Sequence, residues 1–168
     1  LKRSHPNNIN EIPFLPIDFF KTDQIICMGK KTEEIFLSSG TTGNQSKHLI
    51  SDLEIYKKSF QKSFDQFYGN ISEYCILSLL PNYREREGSS LIYMVDDLIK
   101  NSQHPKSGFY LNNYKKLSTT LEELEKTGQK TILIGVSYAL LDLANQFPQK
   151  LKHTIIMETG GIKGKRKE

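Results

Sequence analysis

Apolar and polar positions along this chain follow two different periods, and the changes between them mark out its elements. From Ser51 the spacing is helical, with Leu53, Tyr56, Phe60, Phe64 and Phe67 on one face, Ser51 and Glu54 at capping-box spacing, and Gly69 placed to end the helix. Tyr74 to Leu80 is a continuous apolar run closed by Pro81, the pattern of a strand buried on both faces. Ser90 to Lys100 predicts a second helix with Leu91, Met94, Val95 and Leu98 inward. Thr119 to Lys126 predicts a third, with Thr119 and Glu122 as its capping pair and Gly128 at its end. Thr131 to Val136 is another buried strand, running through Ser137 into a helix stopped by Pro148. Thr154 to Met157 is the last strand, leading into Glu158-Thr159-Gly160-Gly161. Before residue 51 the periods are short: Ile25 to Met28, Glu34 to Ser38 and Lys47 to Ile50 each read as a brief strand.

Strands that alternate with helices require crossover connections. The pattern therefore predicts an α/β fold, a mostly parallel sheet with helices on both faces, whose ligands belong at the carboxyl ends of the strands. Residues 1–24, with Pro6, Pro13 and Pro16 among Phe14, Phe19 and Phe20, carry no sustained period. They predict an extended arm that lays aromatic rings on a body elsewhere, followed by one α/β lobe over 25–168.

Composition narrows the classes. With 168 residues the chain is long enough for one core, and its longest apolar stretch, Ile132 to Leu141, is about half of what a membrane span needs. Cys27 and Cys75 are too few for a disulfide framework or a thiolate metal site, so a reducing cytoplasm is the expected compartment. Cys75, inside an apolar strand, reads as a small inert hydrophobe. His5, His48, His104 and His153 stand apart from any carboxylate at triad or metal-ligand spacing, which leaves them surface or structural roles. The net charge of +4 invites a nucleic-acid partner. Lys163, Lys165, Arg166 and Lys167 against Glu168 supply +3 of it, however, so no nucleic-acid surface is expected. The chain opens at Leu1 and stops inside that basic run, and both ends read as cut from something longer.

Three segments are built for chemistry. The first, Ser38-Ser39-Gly40-Thr41-Thr42-Gly43-Asn44-Gln45-Ser46, offers hydroxyl donors and glycines that bring backbone N–H groups close to an anion. Polyphosphate suits it, although it lacks the lysine-serine ending of a Walker loop, and a plain serine- and threonine-rich hairpin turn is the alternative. The second, Pro81-Asn82-Tyr83-Arg84-Glu85-Arg86-Glu87-Gly88-Ser89-Ser90, follows a buried strand and therefore sits where an open sheet presents ligands; a solvated charged loop is the alternative. The third runs from Glu158 to Glu168. Its double glycine, Gly160-Gly161, permits close approach of a flat ligand, and Lys163 and its neighbours can neutralise an anion. A basic surface tail is the alternative there.

Taken together and in order, these segments resemble a known family. Ser-Ser-Gly-Thr-Thr-Gly is similar to the phosphate-binding signature of the acyl-adenylate-forming superfamily, which includes acyl-CoA synthetases, firefly luciferase and phenylacetate-CoA ligases. This chain departs from the usual continuation, with Gln45 in place of proline, then Ser46, and Lys47 one residue late. The Pro-x-Tyr-like element before paired serines, and Glu-Thr-Gly-Gly followed by a hydrophobic residue and Lys-Gly, resemble the LuxE-type acyl-protein synthetases. The likeness runs from about Ile12 to the last residue.

The resemblance implies ATP-dependent activation of a carboxylic acid, in particular a long-chain fatty acid. The products would be acyl-adenylate and pyrophosphate, with the acyl group then passed to a thiol of a protein cysteine or of CoA. It implies that Ser38, Ser39, Gly40, Thr41, Thr42, Gly43 and Ser46 hold ATP phosphates. Tyr83, Ser89, Glu158, Thr159, Gly160, Gly161 and Lys163 would then border the nucleotide base or acyl pocket. Magnesium is implied with the nucleotide, its carboxylate ligand lying in the family's later aromatic-Gly-x-Thr-Glu element. That element, the ribose-binding aspartate, the carboxyl-terminal lysine domain and the acyl-accepting cysteine are not in these residues. The chain is thus expected to be an amino-terminal piece with little turnover alone. An aryl- or acyl-CoA ligase of the phenylacetate type, or a non-catalytic nucleotide-binding domain, are the alternatives.

Overall fold

The computed structural model describes residues 8–12, 14–38, 45–80, 87–111 and 113–160. It divides into two compact units, Leu1–Asp52 and Leu53–Glu168.

The first unit is built on an antiparallel hairpin of β1 (Glu34–Leu37) and β2 (Lys47–Ile50), registered from Glu34 opposite Ile50 to Leu37 opposite Lys47. Ahead of it come a single 3₁₀ turn, Ile9–Glu11, and one helical turn, α1 (Phe19–Thr22). The expected docking of arm aromatics holds for Phe20, whose ring stacks on His48 with centroids 4.8 Å apart. It fails for Phe14, which is fully exposed. Ile25 to Met28 is not a strand. Gly29 at φ +75° turns the chain and the Lys30 N–H donates to the Cys27 carbonyl, which leaves Met28 86% exposed. Among the described residues no strand pairs with these four apolar residues ahead of the turn, and apolar character alone does not supply one.

The second unit is a parallel sheet in the order β4-β3-β5-β6, formed by β3 (Cys75–Leu79), β4 (Gly108–Phe109), β5 (Thr131–Gly135) and β6 (Thr154–Glu158). Every residue of β3 and β5 is buried, Ser78 and Thr131 included, as predominantly apolar runs require of central strands. The helices are α2 (Leu53–Tyr68), α3 (Ser90–Ser102), α4 (Tyr114–Thr127) and α5 (Ser137–Gln146). One core joins Ile76, Ile132 and Ile134 to Phe60 and Phe64 of α2 and Val95 and Leu98 of α3. The other joins Leu77, Leu79 and Leu133 to Leu117, Leu121 and Leu124 of α4 and Ala139 and Leu143 of α5. Alternate residues of each strand thus feed opposite faces, and helices cover both.

Several boundaries move for identifiable reasons. The first residue of α2 is Leu53, so Asp52 rather than Ser51 precedes the helix. Its contact stripe runs through Tyr56, Phe60, Phe64 and Tyr68 at every fourth residue, which leaves Phe67 74% exposed. In α3 the fully buried stripe is Ile92, Val95 and Leu98, with Leu91 and Met94 at its margin. α4 begins five residues before Thr119, because the Asn113 side chain accepts the Lys116 N–H at 2.9 Å and caps it. Thr119 is therefore inside the helix, its hydroxyl donating to the Lys115 carbonyl, and forms no capping pair with Glu122. Gly128 does end α4, at φ +70°, while the Gln129 N–H reaches back to the Leu124 carbonyl.

Glu125 fixes the approach to β6. Its carboxylate accepts the N–H groups of Lys152 (2.7 Å) and His153 (3.0 Å) and the Thr154 hydroxyl (2.7 Å). Partial burial alone would raise its pKa, but these three donors outweigh it and hold the pKa below the ordinary 4.5. A depressed carboxylate contributes stability above its unfolded pKa, and that contribution disappears as pH falls through the folded value. Charge-assisted bonds discounted for solvent give an expected loss of about 1 kcal/mol for Glu125→Gln at pH 7. The gap between the two proteins in urea midpoint should close as pH is lowered from 5 to about 2; a gap independent of pH would count against this role.

Candidate functional site

The strand order places the open point of the sheet between β3 and β5. The chain leaves β3 toward α3 on one face, and it leaves the adjacent β5 toward α5 on the other. Where neighbouring carboxyl ends diverge in this way, an open α/β sheet accommodates ligands.

Three strand ends meet there. At the end of β3, Ser78 is fully buried, its hydroxyl accepting the Leu80 N–H at 3.3 Å and its carbonyl accepting the Tyr110 N–H at 2.7 Å. At the end of β5, Gly135 lies opposite Glu158, the last residue of β6. The Thr159 N–H donates to the Gly135 carbonyl at 3.0 Å, and its hydroxyl reaches the same oxygen at 3.3 Å. Two residues after Gly135, the Ser137 hydroxyl donates to the Glu158 carboxylate. Gly135 is itself a close-packing point. A Cβ there would lie 3.0 Å from Leu140 Cγ and Cδ2 and from Leu79 Cβ. Gly160, at φ +67°, has open space about it.

Of the residues expected at a nucleotide base or acyl pocket, Glu158, Thr159 and Gly160 thus lie together with Gly135 and Ser137. Ser89 caps α3 after the left-handed Gly88, its hydroxyl oxygen engaged in accepting the Ile92 N–H at 3.4 Å. Tyr83, Gly161 and Lys163 lie outside the described residues. Ser137 did not stand out in the sequence, where it read only as the start of a helix. The signal was its position directly after a central strand of a parallel sheet, level with the Glu158 turn.

The phosphate-loop candidates belong to the first unit. Ser38 and Ser46 form the neck of the β1–β2 connection: the Ser38 N–H donates to the Ser46 carbonyl at 3.0 Å, and the Ser46 N–H donates to the Ser38 hydroxyl at 2.9 Å. The Ser46 hydroxyl also lies 3.5 Å from His48 Nε2. Ser39, Gly40, Thr41, Thr42 and Gly43 lie outside the described residues. Among the described residues no group of three or more His, Cys, Asp and Glu side chains comes together as a metal-ligand set.

Cys75 is buried against Ser107 in the core, and desolvation pushes its thiol up to about 11, which leaves it protonated and unreactive near neutrality. Cys27 is exposed and unbridged. Burial first, and then Lys106, push the His104 pKa down. No helix among the described residues is long and apolar enough to cross a membrane. No family model, curated protein or solved structure matches this chain.

Proposed function

We propose that this chain is the nucleotide- and acid-binding part of an ATP-dependent acyl-activating enzyme of the LuxE type, acting in the cytoplasm. A carboxylate, a fatty acid in particular, attacks the α-phosphorus of ATP, and pyrophosphate leaves. A protein thiolate then attacks the acyl carbon and AMP departs. The hydroxyls of Ser39, Thr41 and Thr42 and the N–H groups of Gly40 and Gly43 hold the β- and γ-phosphates, a positioning and charge-stabilising role. Magnesium, when bound with the nucleotide, neutralises phosphate charge.

The observation that carries this reading is the hairpin neck. Ser38 and Ser46 close the paired strands β1 and β2 at either end of the sequence 39–44, whose glycine, serine and threonine composition suits an anion. The Glu158-Thr159-Gly160 turn at the divergence of the parallel sheet gives independent support from the second unit.

The test is carboxylate-dependent exchange of labelled pyrophosphate into ATP, by this chain and by any longer chain that contains it, together with ATP affinity by equilibrium dialysis. Hydrogen bonds to charged groups contribute about 1.5–3 kcal/mol each, so the Thr41→Ala/Thr42→Ala pair should weaken ATP binding at least tenfold. Unchanged affinity, or no exchange with any fatty or aryl acid in either chain, would sink the proposal. Release of acyl-CoA in the presence of CoA would move the acceptor to that thiol.

A further inference from the structure

β6 is the outer strand of its sheet, and among the described residues it pairs only with β5. Natural edge strands are usually blunted by a lysine, a proline or a bulge, because their unpaired N–H and C=O groups are a template for another strand. Thr154–Glu158 has none of these: it reads Thr-Ile-Ile-Met-Glu, and its register with β5 is unbroken over all five residues. That register sets Ile155 level with Ile132 and Ile156 level with Leu133, residues that feed opposite cores. The two isoleucines therefore point to opposite faces, and they are 41% and 55% exposed. The edge is adhesive in its plane and on both sides.

Its flanks are also self-complementary. A two-fold axis through Ile155 lays two β6 strands antiparallel, with Ile155 against its own mate and Thr154 against Ile156. The same axis brings Lys152, in the bend two residues before the strand where Glu125 accepts its N–H, toward Glu158 at the far end of the other copy, whose carboxylate also accepts the Ser137 hydroxyl. Each of the last two pairs occurs twice, and directly opposed residues share a face, where opposite charges and apolar pairs stabilise. We infer that two copies of this chain associate edge to edge through β6, joining their parallel sheets into one continuous sheet across a two-fold axis. This goes beyond the nucleotide chemistry proposed above and does not depend on it.

Sedimentation velocity of the whole chain over a concentration series is expected to show a reversible monomer–dimer equilibrium. Ile155→Lys sets two ammonium groups against each other at the axis and should weaken the dimer at least about tenfold. Lys152→Glu, which opposes two carboxylates, should weaken it as well, whereas Lys152→Arg should not. Circular dichroism melts at low concentration distinguish lost association from lost folding, and with two independent variants one misfolded protein does not decide the outcome. A chain that stays monomeric at every concentration overturns the inference and leaves the edge to a different strand. It is equally overturned by a dimer that Ile155→Lys leaves intact, or by open-ended assembly past the dimer.

Discussion

Leu77→Ala is expected to destabilise the second unit by about 2–5 kcal/mol, the range for removing a leucine side chain from a well-packed core. Leu77 lies in the middle of β3, paired to Gly108 of β4 on one side and Leu133 of β5 on the other, and is 0% exposed. Strands on both sides leave little room for the site to collapse around the deleted atoms, which places the cost in the upper half of the range. Phe67→Ala is the informative comparison. The helical pattern assigns Phe67 to the buried face of α2, whereas the structure leaves it largely exposed, so its loss should stay within about 0.5 kcal/mol. Urea midpoints at constant slope decide the matter: similar shifts for the two variants would show that β3 is not the centre of the sheet.

Gly135→Ala should cost about 1–3 kcal/mol, the usual penalty of overpacking. The added methyl meets Leu79 Cβ, which is fixed to a central strand, and the Leu140 side chain, which can turn away. Leu140→Ala in the same protein should therefore recover part of the loss, with a coupling of about 0.5 kcal/mol or more, and the contact with Leu79 should keep the recovery incomplete. The effect reaches the candidate site, because the Gly135 carbonyl receives both the N–H and the hydroxyl of Thr159. A shift of β5 away from α5 moves the oxygen that anchors the Glu158-Thr159-Gly160 turn. Strict additivity of Gly135→Ala and Leu140→Ala would refute this packing account.

Much of the fold was legible because its signals are local. Runs rich in leucine and isoleucine, interrupted in β3 only by Ser78, mark β3 and β5 as buried on both faces, and each is buried at every position. Gly69 and Gly128 mark helix ends because each adopts a positive φ that other residues resist. Such information sits within a few residues of where it acts. β4 escaped notice for the opposite reason. Gly108–Phe109 has no pattern of its own and is a strand only because Leu77 and Ser78 of β3 lie alongside it. Ile25 to Met28 shows the converse, a pattern with no partner. α4 was placed too late because Thr119 and Glu122 have capping-box spacing, yet Asn113 had already satisfied the first turn.

Composition and period act over short stretches of chain, and they suffice for the α/β class, the central strands and the segments rich in hydroxyls and glycines. The strand order β4-β3-β5-β6, and with it the place where the strand ends diverge, comes from contacts between distant segments. So do the meeting of Ser137 with Glu158 and the position of β6 rather than β5 at the open edge among the described residues. Such facts depend on which distant residues lie side by side. Strand pairing joins backbone N–H and C=O groups that every residue other than proline carries, so partners are selected by packing across the whole unit rather than by the local string of side chains.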